Sequence, residues 1–346
     1  MALIGCGFVV NGCAANAGTE SDTRQQASAL DVQHIHYAER DITAAPAGYD
    51  SWFPVGVSGH GDALGQGFKC DSTTCSIDLL ELDSSGKFSI IAHDFAVNET
   101  NEHGEAGGCV VDAQGFGQAA IVHANGHVEL FPRLPGEVSS CIIQLSDADT
   151  ALAFSQDASF ASTQYVLRSG KTYPVSLTNA SISDINDQGE LAGITSTQSG
   201  QRAFRFDAQA QALTILDPVS GDPNSWGLAI NHQGEVLGYS FVFSGVERIG
   251  SWSRKNQFAA AFVEGTPDFP TVSNQLVWNE NGVIVVSYTT DTNTYVIPHP
   301  GVRLNLADLV DSGSAPPSLF AYDINDHGDF LAQSFEDGSV HLFVLE

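Results

Sequence analysis

The sequence predicts an all-β chain folded as a seven-bladed β-propeller with four strands in each blade. A repeated phrase, its spacing and the period of its apolar residues carry that prediction. The phrase Asp184-Ile185-Asn186-Asp187-Gln188-Gly189-Glu190-Leu191-Ala192-Gly193 returns as Ile230-Asn231-His232-Gln233-Gly234-Glu235-Val236-Leu237-Gly238, and again as Asp323-Ile324-Asn325-Asp326-His327-Gly328-Asp329-Phe330-Leu331-Ala332. With the glycine as marker, further copies stand at Gly61, Gly104 and Gly282, and a degenerate copy puts Thr150 at the marker. The markers 61, 104, 150, 189, 234, 282 and 328 lie 43, 46, 39, 45, 48 and 46 residues apart. That is the period of four-stranded blades.

Within a unit the apolar residues form short runs or alternate, with no 3.6-residue period, so the segments read as strands. Unit four gives strands over 181–186, 190–195, 202–207 and 212–217. Asn101, Asn186, Asn231, Asn279 and Asn325 precede the marker by three residues, with Ser58 and Asp147 in the other units. Asn-x-x-Gly between two strands is hairpin chemistry, the Asn capping the turn and the Gly supplying positive φ. Gly65, Gly108, Gly193 and Gly238, four residues after the marker, read as places where neighbouring backbone comes close. These residues are read as making the fold.

The repeats run from about residue 50 to the end, so residues 29–346 are expected to form one domain. Residues 34–42 read as a strand ahead of the first unit, while the last unit ends after its third strand, 340–346. The spare strand is therefore expected to become the outermost strand of the last blade and close the ring. Residues 1–28 read as an export segment and linker. Val10-Asn11-Gly12-Cys13-Ala14 is like a lipoprotein cleavage box, with Cys13 the lipidation candidate, although the positive n-region of a secretory signal is missing. A start site placed too far downstream would account for that, and a plain tail is the alternative. The apolar run 1–10 is too short to span a bilayer.

Export agrees with the cysteines. Cys70 and Cys75 flank a hairpin loop, and Cys109 on the second strand of unit two faces Cys141 on the first strand of unit three across neighbouring blades, so two disulfides are expected. The spacing suits zinc poorly. The formal charge of −28, from 41 acidic and 13 basic residues, is spread over all the repeats. It disfavours nucleic acid as a partner and suits a solvated, monomeric surface of the kind found in salty water.

Candidate chemistry is sparse. No G-x-S-x-G elbow, H-E-x-x-H pair or P-loop occurs, and the glycines around Gly115 lie in a strand loop with no following helix. His34 and His36 share a strand face and could share a metal, or simply lie on an outer surface. Asp184-x-Asn186-x-Gln188-Gly189 and its copy at Asp323 are calcium-loop-like, yet the fifth position is not a carboxylate and a strand begins at once; no cofactor is expected, with calcium the one exception to keep open. Asp62, Glu105, Glu190, Glu235 and Asp329, one residue after the marker, are expected to ring one face of the propeller, either as a site or as solvated turn residues. Trp52, Phe53, Trp226 and Phe320 should start innermost strands near one channel mouth, as a ligand-binding cluster or as packing between blades. His60, His103, His232 and His327 fall at the turns of the opposite rim.

The phrase I-N-x-x-G-E-x-x-G, followed by Arg202-Ala203-Phe204 and, in the last unit, His341-Leu342-Phe343, resembles the bacterial extracellular repeats named for a His-Ala-Phe triplet. Units two, three and six depart, with Gln118-Ala119-Ala120, Gln164-Tyr165-Val166 and Thr294-Tyr295-Val296. The resemblance implies an exported, propeller-like protein and brings no catalytic motif with it. The expected function is binding of a protein or glycan partner at the cell surface, in the periplasm or outside the cell. The alternatives are a lyase or hydrolase in the central channel, and a structural surface module. A His and acids converging in the channel with shifted pKa values would favour the enzyme; a channel lined by apolar and hydroxyl groups would favour binding.

Overall fold

In the computed structural model of the protein, the strands and turns of the repeats assemble into seven antiparallel sheets of four strands. The structure describes residues 35–71, 74–242, 247–264, 275–287, 293–310 and 319–346. Blade four shows the pattern, with Ala180–Ile185, Glu190–Thr197, Gly200–Asp207 and Ala212–Leu216 hydrogen-bonded in that order from axis to rim. The innermost strands are Ser51–Val57, Phe95–Thr100, Glu137–Leu145, Ala180–Ile185, Asn224–Ile230, Gln275–Trp278 and Leu319–Ile324. Their C-terminal ends converge on one cavity at the axis.

The ring closes as the spare strand requires. Tyr37–Asp41 pairs antiparallel with Val340–Leu345 and becomes the outermost strand of blade seven, with Tyr37 opposite Leu345 and Asp41 opposite His341. Tyr37 is fully buried there, its ring edge-on to Phe330. The strand is shorter than the 34–42 expected, and residue 34 lies outside the described residues. Between the blades lie the apolar cores. Leu152 and Val166 of blade three pack with Ile185, Leu191, Phe204 and Phe206 of blade four, and each other junction, including blade seven against blade one, has its own cluster. Ala203 and Phe204, and their counterparts Leu342 and Phe343, are buried in these junctions.

The repeated Asn is a clip between blades. Asn186 Oδ1 accepts the N–H groups of Gln188 and Glu190, and its amide donates to the Asn231 carbonyl of the next blade at 3.0 Å. Asn101 reaches Ser146, Asn279 reaches Asn325, and Asn325 reaches Ser58 across the closure. At Gly193 an added β-carbon would collide with the Ser181 carbonyl, and at Gly238 with that of Trp226, so the second strand presses against the first as the sequence pattern anticipates. One expectation is corrected in unit three. Ser146 takes the Asn place, since its N–H bonds the Thr150 carbonyl as Asn186 bonds Glu190, and Asp149 rather than Thr150 takes the marker position. Asp149 adopts φ +54°, which a short polar side chain tolerates better than a β-branched one.

Both expected disulfides are present, Cys70–Cys75 within a hairpin and Cys109–Cys141 between blades two and three. Such bonds mark a chain that folds in an oxidising, exported setting. No helix among the described residues is long and apolar enough to cross a membrane. Cys13, and with it the export and lipidation expectation, lies outside the described residues.

Candidate functional site

The cavity is built from two columns of the repeat. In six of the seven innermost strands the register slips by one residue at the same place, between Ile182 and Asp184 in blade four and Ala321 and Asp323 in blade seven, for example. A bulge of this kind re-aims the residues after it. Here it places Asp184 and Asp323, two residues before the clip Asn, on the wall of the channel. The residue just after the clip then forms a rim: Glu102, Asp147, Asp187, His232, Glu280 and Asp326, with Gly59 in blade one.

Backbone amides tie the rim together. Asp147 accepts the N–H of Glu102, Asp187 that of Ala148, Glu280 that of His232, and Asp326 that of Glu280. Glu102 spans the gap left by Gly59 and accepts the Asp326 N–H at 2.7 Å; a β-carbon on Gly59 would press on that carboxylate. Lower in the channel Asp184 accepts from Ile230 and Ile185, and Asp323 from Val57. Six carboxylates and the imidazole of His232 line the cavity, whose volume is about 140 Å³, and no Lys or Arg does so among the described residues.

Crowding of like charge away from bulk water shifts these groups. Burial, and then Asp326, pushes Glu102 up to about 8. Burial raises Glu280 to about 7 although His232 opposes it, and it raises Asp184 and Asp323 to about 7 despite their backbone hydrogen bonds. Glu99 sits between the fields of Asp323 and Asp184, and burial pushes it well above the usual range. Asp184 and Asp323 line the cavity and keep part of their surface exposed, and Glu99 is half-buried. His232 goes the other way in charge. Its hydrogen bond to Asp187 at 2.9 Å outweighs desolvation and, with Glu280 and Asp147 at 3.6 and 3.5 Å, lifts it to about 9. It is an imidazolium at neutral pH, with Nδ1 facing Asp187 and Nε2 facing Asp147.

The carboxylates expected to ring one face do something else. Glu105, Glu190, Glu235 and Asp329 accept from the clip Asn of their own turn, and Glu190 and Asp329 are buried. Arg254 of blade five grips Glu190 through two hydrogen bonds, and Asp329 accepts the Leu345 N–H. Asp62 accepts the N–H of Ser84. These groups fasten turns and junctions because the residue after the marker points into the blade. The oxygens of the calcium-like phrase are likewise engaged, Asp184 and Asn186 in the bonds already described.

The aromatic residues stand at the far ends of the innermost strands, and none of the four lines this cavity. Trp52 is buried between blades and donates to the Ile42 carbonyl. Trp226 donates to Gln201 and packs edge-on to Phe241. Phe53 is 53 % exposed beside Phe68, and Phe320 lies edge-on to Phe335. The turn histidines separate: His60, His103 and His327 are exposed, whereas His232, one residue earlier in its turn, faces the ring. His36 holds the Leu309 carbonyl at 2.7 Å. On the outer side of the junction between blades two and three, Glu105, His123 and Asp149 bring ligand-type atoms within 4.8 Å of one another. His123 lies 2.7 Å from Glu105 and 3.4 Å from Glu129, and its hydrogen bond to Glu105 raises its pKa, so the group is held together as an ion pair.

Sequence reading missed the two columns that make the channel. The signal was there, because the residue after the clip Asn reads Glu, Asp, Asp, His, Glu, Asp from unit two onward once unit three is aligned on Ser146. The one-residue error at Thr150 hid it.

Comparison with protein-family models finds no match, and comparison with curated proteins finds none. The fold does match solved structures. Streptogramin B lyase superposes with a TM-score of 0.53 at 10 % identity, covering 90 % of this chain and 98 % of that one. Virginiamycin B lyase from Staphylococcus aureus gives 0.52 at 9 %, covering 90 % and 100 %. Acylaminoacyl peptidase from Pyrococcus horikoshii gives 0.53 at 10 %, covering 90 % of this chain and 52 % of that one. The likeness is one of fold. At such identities it carries no reaction or ligand across.

Proposed function

We propose that this protein is an exported binding module whose recognition site is the acidic end of its channel. The observation that carries the proposal is the ring of Glu102, Asp147, Glu280 and Asp326 around a cavity where, among the described residues, His232 is the one counter-charge. Like charges held this close cost free energy, and a partner that brings complementary charge or hydrogen-bond donors relieves it. The resemblance to His-Ala-Phe repeats and the two disulfides support a location outside the cytoplasm, at the surface, in the periplasm or outside the cell; Cys13, within its cleavage-box-like sequence, is the candidate point of lipid attachment. A protein or a glycan is the partner in this reading.

Thermal unfolding across a panel of soluble glycans, capped peptides and small amines tests it. A ligand of the native state raises the Tm with concentration. The shift is expected in the wild type and not in Glu102→Gln/Glu280→Gln; equal responses throughout the panel would remove the channel as the site.

A second reading, a lyase or hydrolase, draws on the convergence of His232 with acids. His232 itself is a poor base, since both ring nitrogens face carboxylates and the ring is already protonated. Glu102 and Glu280, pushed up to about 8 and about 7, are better suited to proton transfer near neutral pH. Two of the fold relatives are lyases by name, which is analogy of fold only. Turnover of a panel compound that vanishes in Glu280→Gln while binding persists would favour this reading.

A further inference from the structure

The junction between blades two and three departs from the repeat in its charge. Six blades carry a glycine with positive φ at the marker, and blade three carries Asp149 there. What that exchange alters is visible at the junction of blades four and five. A β-carbon added to the marker Gly234 would fall 2.5 Å from the Arg254 guanidinium and 2.6 Å from Glu190 Oε2, the carboxylate that Arg254 grips. At the ring closure, a β-carbon on Gly61 would come within 3.2 Å of Asp329 Oδ2. The marker of one blade thus adjoins the carboxylate that follows the marker of the blade before it, and beside Gly234 a cation fills the place. Between blades two and three the equivalent carboxylate is Glu105, and the side chain that arrives beside it is a second carboxylate, Asp149, within hydrogen-bonding reach.

His123 completes the group with a nitrogen donor. Its Nδ1 lies 2.7 Å from Glu105 Oε1 and its Nε2 lies 3.4 Å from Glu129 Oε2, so a carboxylate faces each ring nitrogen. The ring also stacks on His127, with centroids 5.7 Å apart. One ligand-type atom each from Glu105, His123 and Asp149 lie within 4.8 Å of one another. Glu105 and His123 are largely shielded, whereas Asp149 and Glu129 are exposed, so the group opens to solvent on one side.

We infer that Glu105, His123 and Asp149 bind a divalent transition metal of the zinc class, which clamps blade two to blade three. His123 Nδ1 and one oxygen from each carboxylate are the ligands. Glu129, behind Nε2, holds the ring in the tautomer that leaves Nδ1 to the metal, as carboxylates behind ligating histidines do. Bonds of about 2.0–2.2 Å set tetrahedral ligands roughly 3.3–3.6 Å apart, so movements of about an ångström seat the ion. The nitrogen donor decides the class of metal: imidazole with carboxylates suits zinc and its neighbours, whereas calcium and magnesium take oxygens. Two ionised carboxylates and a neutral imidazole balance a dication, and loading releases the Nδ1 proton to solvent. Without metal, the His123 imidazolium answers Glu105 as an ion pair, much as Arg254 answers Glu190. The site lies outside the channel cavity and does not depend on what the channel binds.

Calorimetry at constant ionic strength with Zn²⁺ and with Ca²⁺ on chelator-treated protein tests the inference, with the Tm read at each loading. One Zn²⁺ per chain is expected to bind and to raise the Tm with its concentration, and Ca²⁺ to bind at least about tenfold more weakly. Asp149→Gly and His123→Gln are each expected to weaken Zn²⁺ binding about tenfold or more. Both variants should fold, since glycine is what the other markers carry and the Cys109–Cys141 bond ties the same two blades. His60→Gln, at an exposed turn, should bind Zn²⁺ like the wild type. Zn²⁺ binding that survives Asp149→Gly and His123→Gln, Zn²⁺ binding no tighter than that of Ca²⁺, or no binding of Zn²⁺ would overturn the inference.

Discussion

Asn325→Ala tests the clip that holds blade seven to blade one. Asn325 is fully buried. Its amide donates to the Ser58 carbonyl at 2.7 Å and to Asp329 at 3.0 Å, and its Oδ1 accepts the Asp329 N–H at 2.8 Å. Ser58 keeps a bond from the Gly61 N–H and Asp329 keeps one from Leu345, so neither is wholly orphaned. The Asp329 N–H is. Leaving it buried and unpaired costs about 1–3 kcal/mol, and the two other bonds add about 1–1.5 kcal/mol each. The sum is about 3–6 kcal/mol, equivalent to a fall in Tm of roughly 6–12 °C for a large domain. Asn125→Ala is the control, since Asn125 caps an exposed outer turn through one bond to the His127 N–H. It should cost about 1 kcal/mol or less. The assay is urea unfolding followed by tryptophan fluorescence and far-UV dichroism, whose coincidence checks that one transition is being measured. If Asn325→Ala falls within 1 kcal/mol of the control, about the size of one net hydrogen bond, the clips are not what holds the blades in register.

Three further outcomes follow from the same structure. Stability should fall as pH rises from about 5 to about 8, because the folded Glu102, Glu280, Asp184 and Asp323 keep protons that the unfolded chain has released. His232, raised to about 9, acts in the same direction, and one net proton gives a slope of about 1.4 kcal/mol per pH unit; a flat or rising profile by urea titration would contradict this. Tyr37→Ala should cost about 3–5 kcal/mol through loss of a buried ring at the closure. Tyr37→Phe should be neutral or stabilising, because the Tyr37 hydroxyl is buried without a partner; the ratio of the two in urea midpoints is the check. Removing Cys109–Cys141, 32 residues apart, should cost roughly 1.5 kcal/mol more than removing Cys70–Cys75, 5 apart, since the longer loop frees more unfolded-chain entropy. Pairwise Cys→Ala variants compared by urea unfolding measure the difference.

How much of this was legible in the sequence depended on the range of the interaction. The turn residues were legible because an Asn cap and a positive-φ glycine are demands a hairpin makes on its own few residues. The close approach at Gly193 and Gly238 was legible for a related reason, as the strand it concerns is the immediate neighbour. Glu190 and Asp329 were misplaced because a strand residue's face is set by pleat and twist, and their partners, Arg254 and the Leu345 N–H, arrive from other parts of the chain. The aromatic residues were placed at strand starts correctly, but their distance from the cavity became visible only when the seven strand ends were seen to converge at the turns.

The sequence by itself determined the number of blades, the four strands in each, the closing strand and the two disulfides. Period, turn chemistry and chain-end arithmetic are properties of the chain as written. Tertiary structure alone decided which carboxylates share a field. The slip at Asp184 and Asp323 turns them to the axis, and closure of the ring brings Glu102 against Asp326 across 224 residues of chain. Charges interact through space and not along sequence, so the raised pKa values of Glu102 and His232 and the acidic channel they line exist only once the ring is shut.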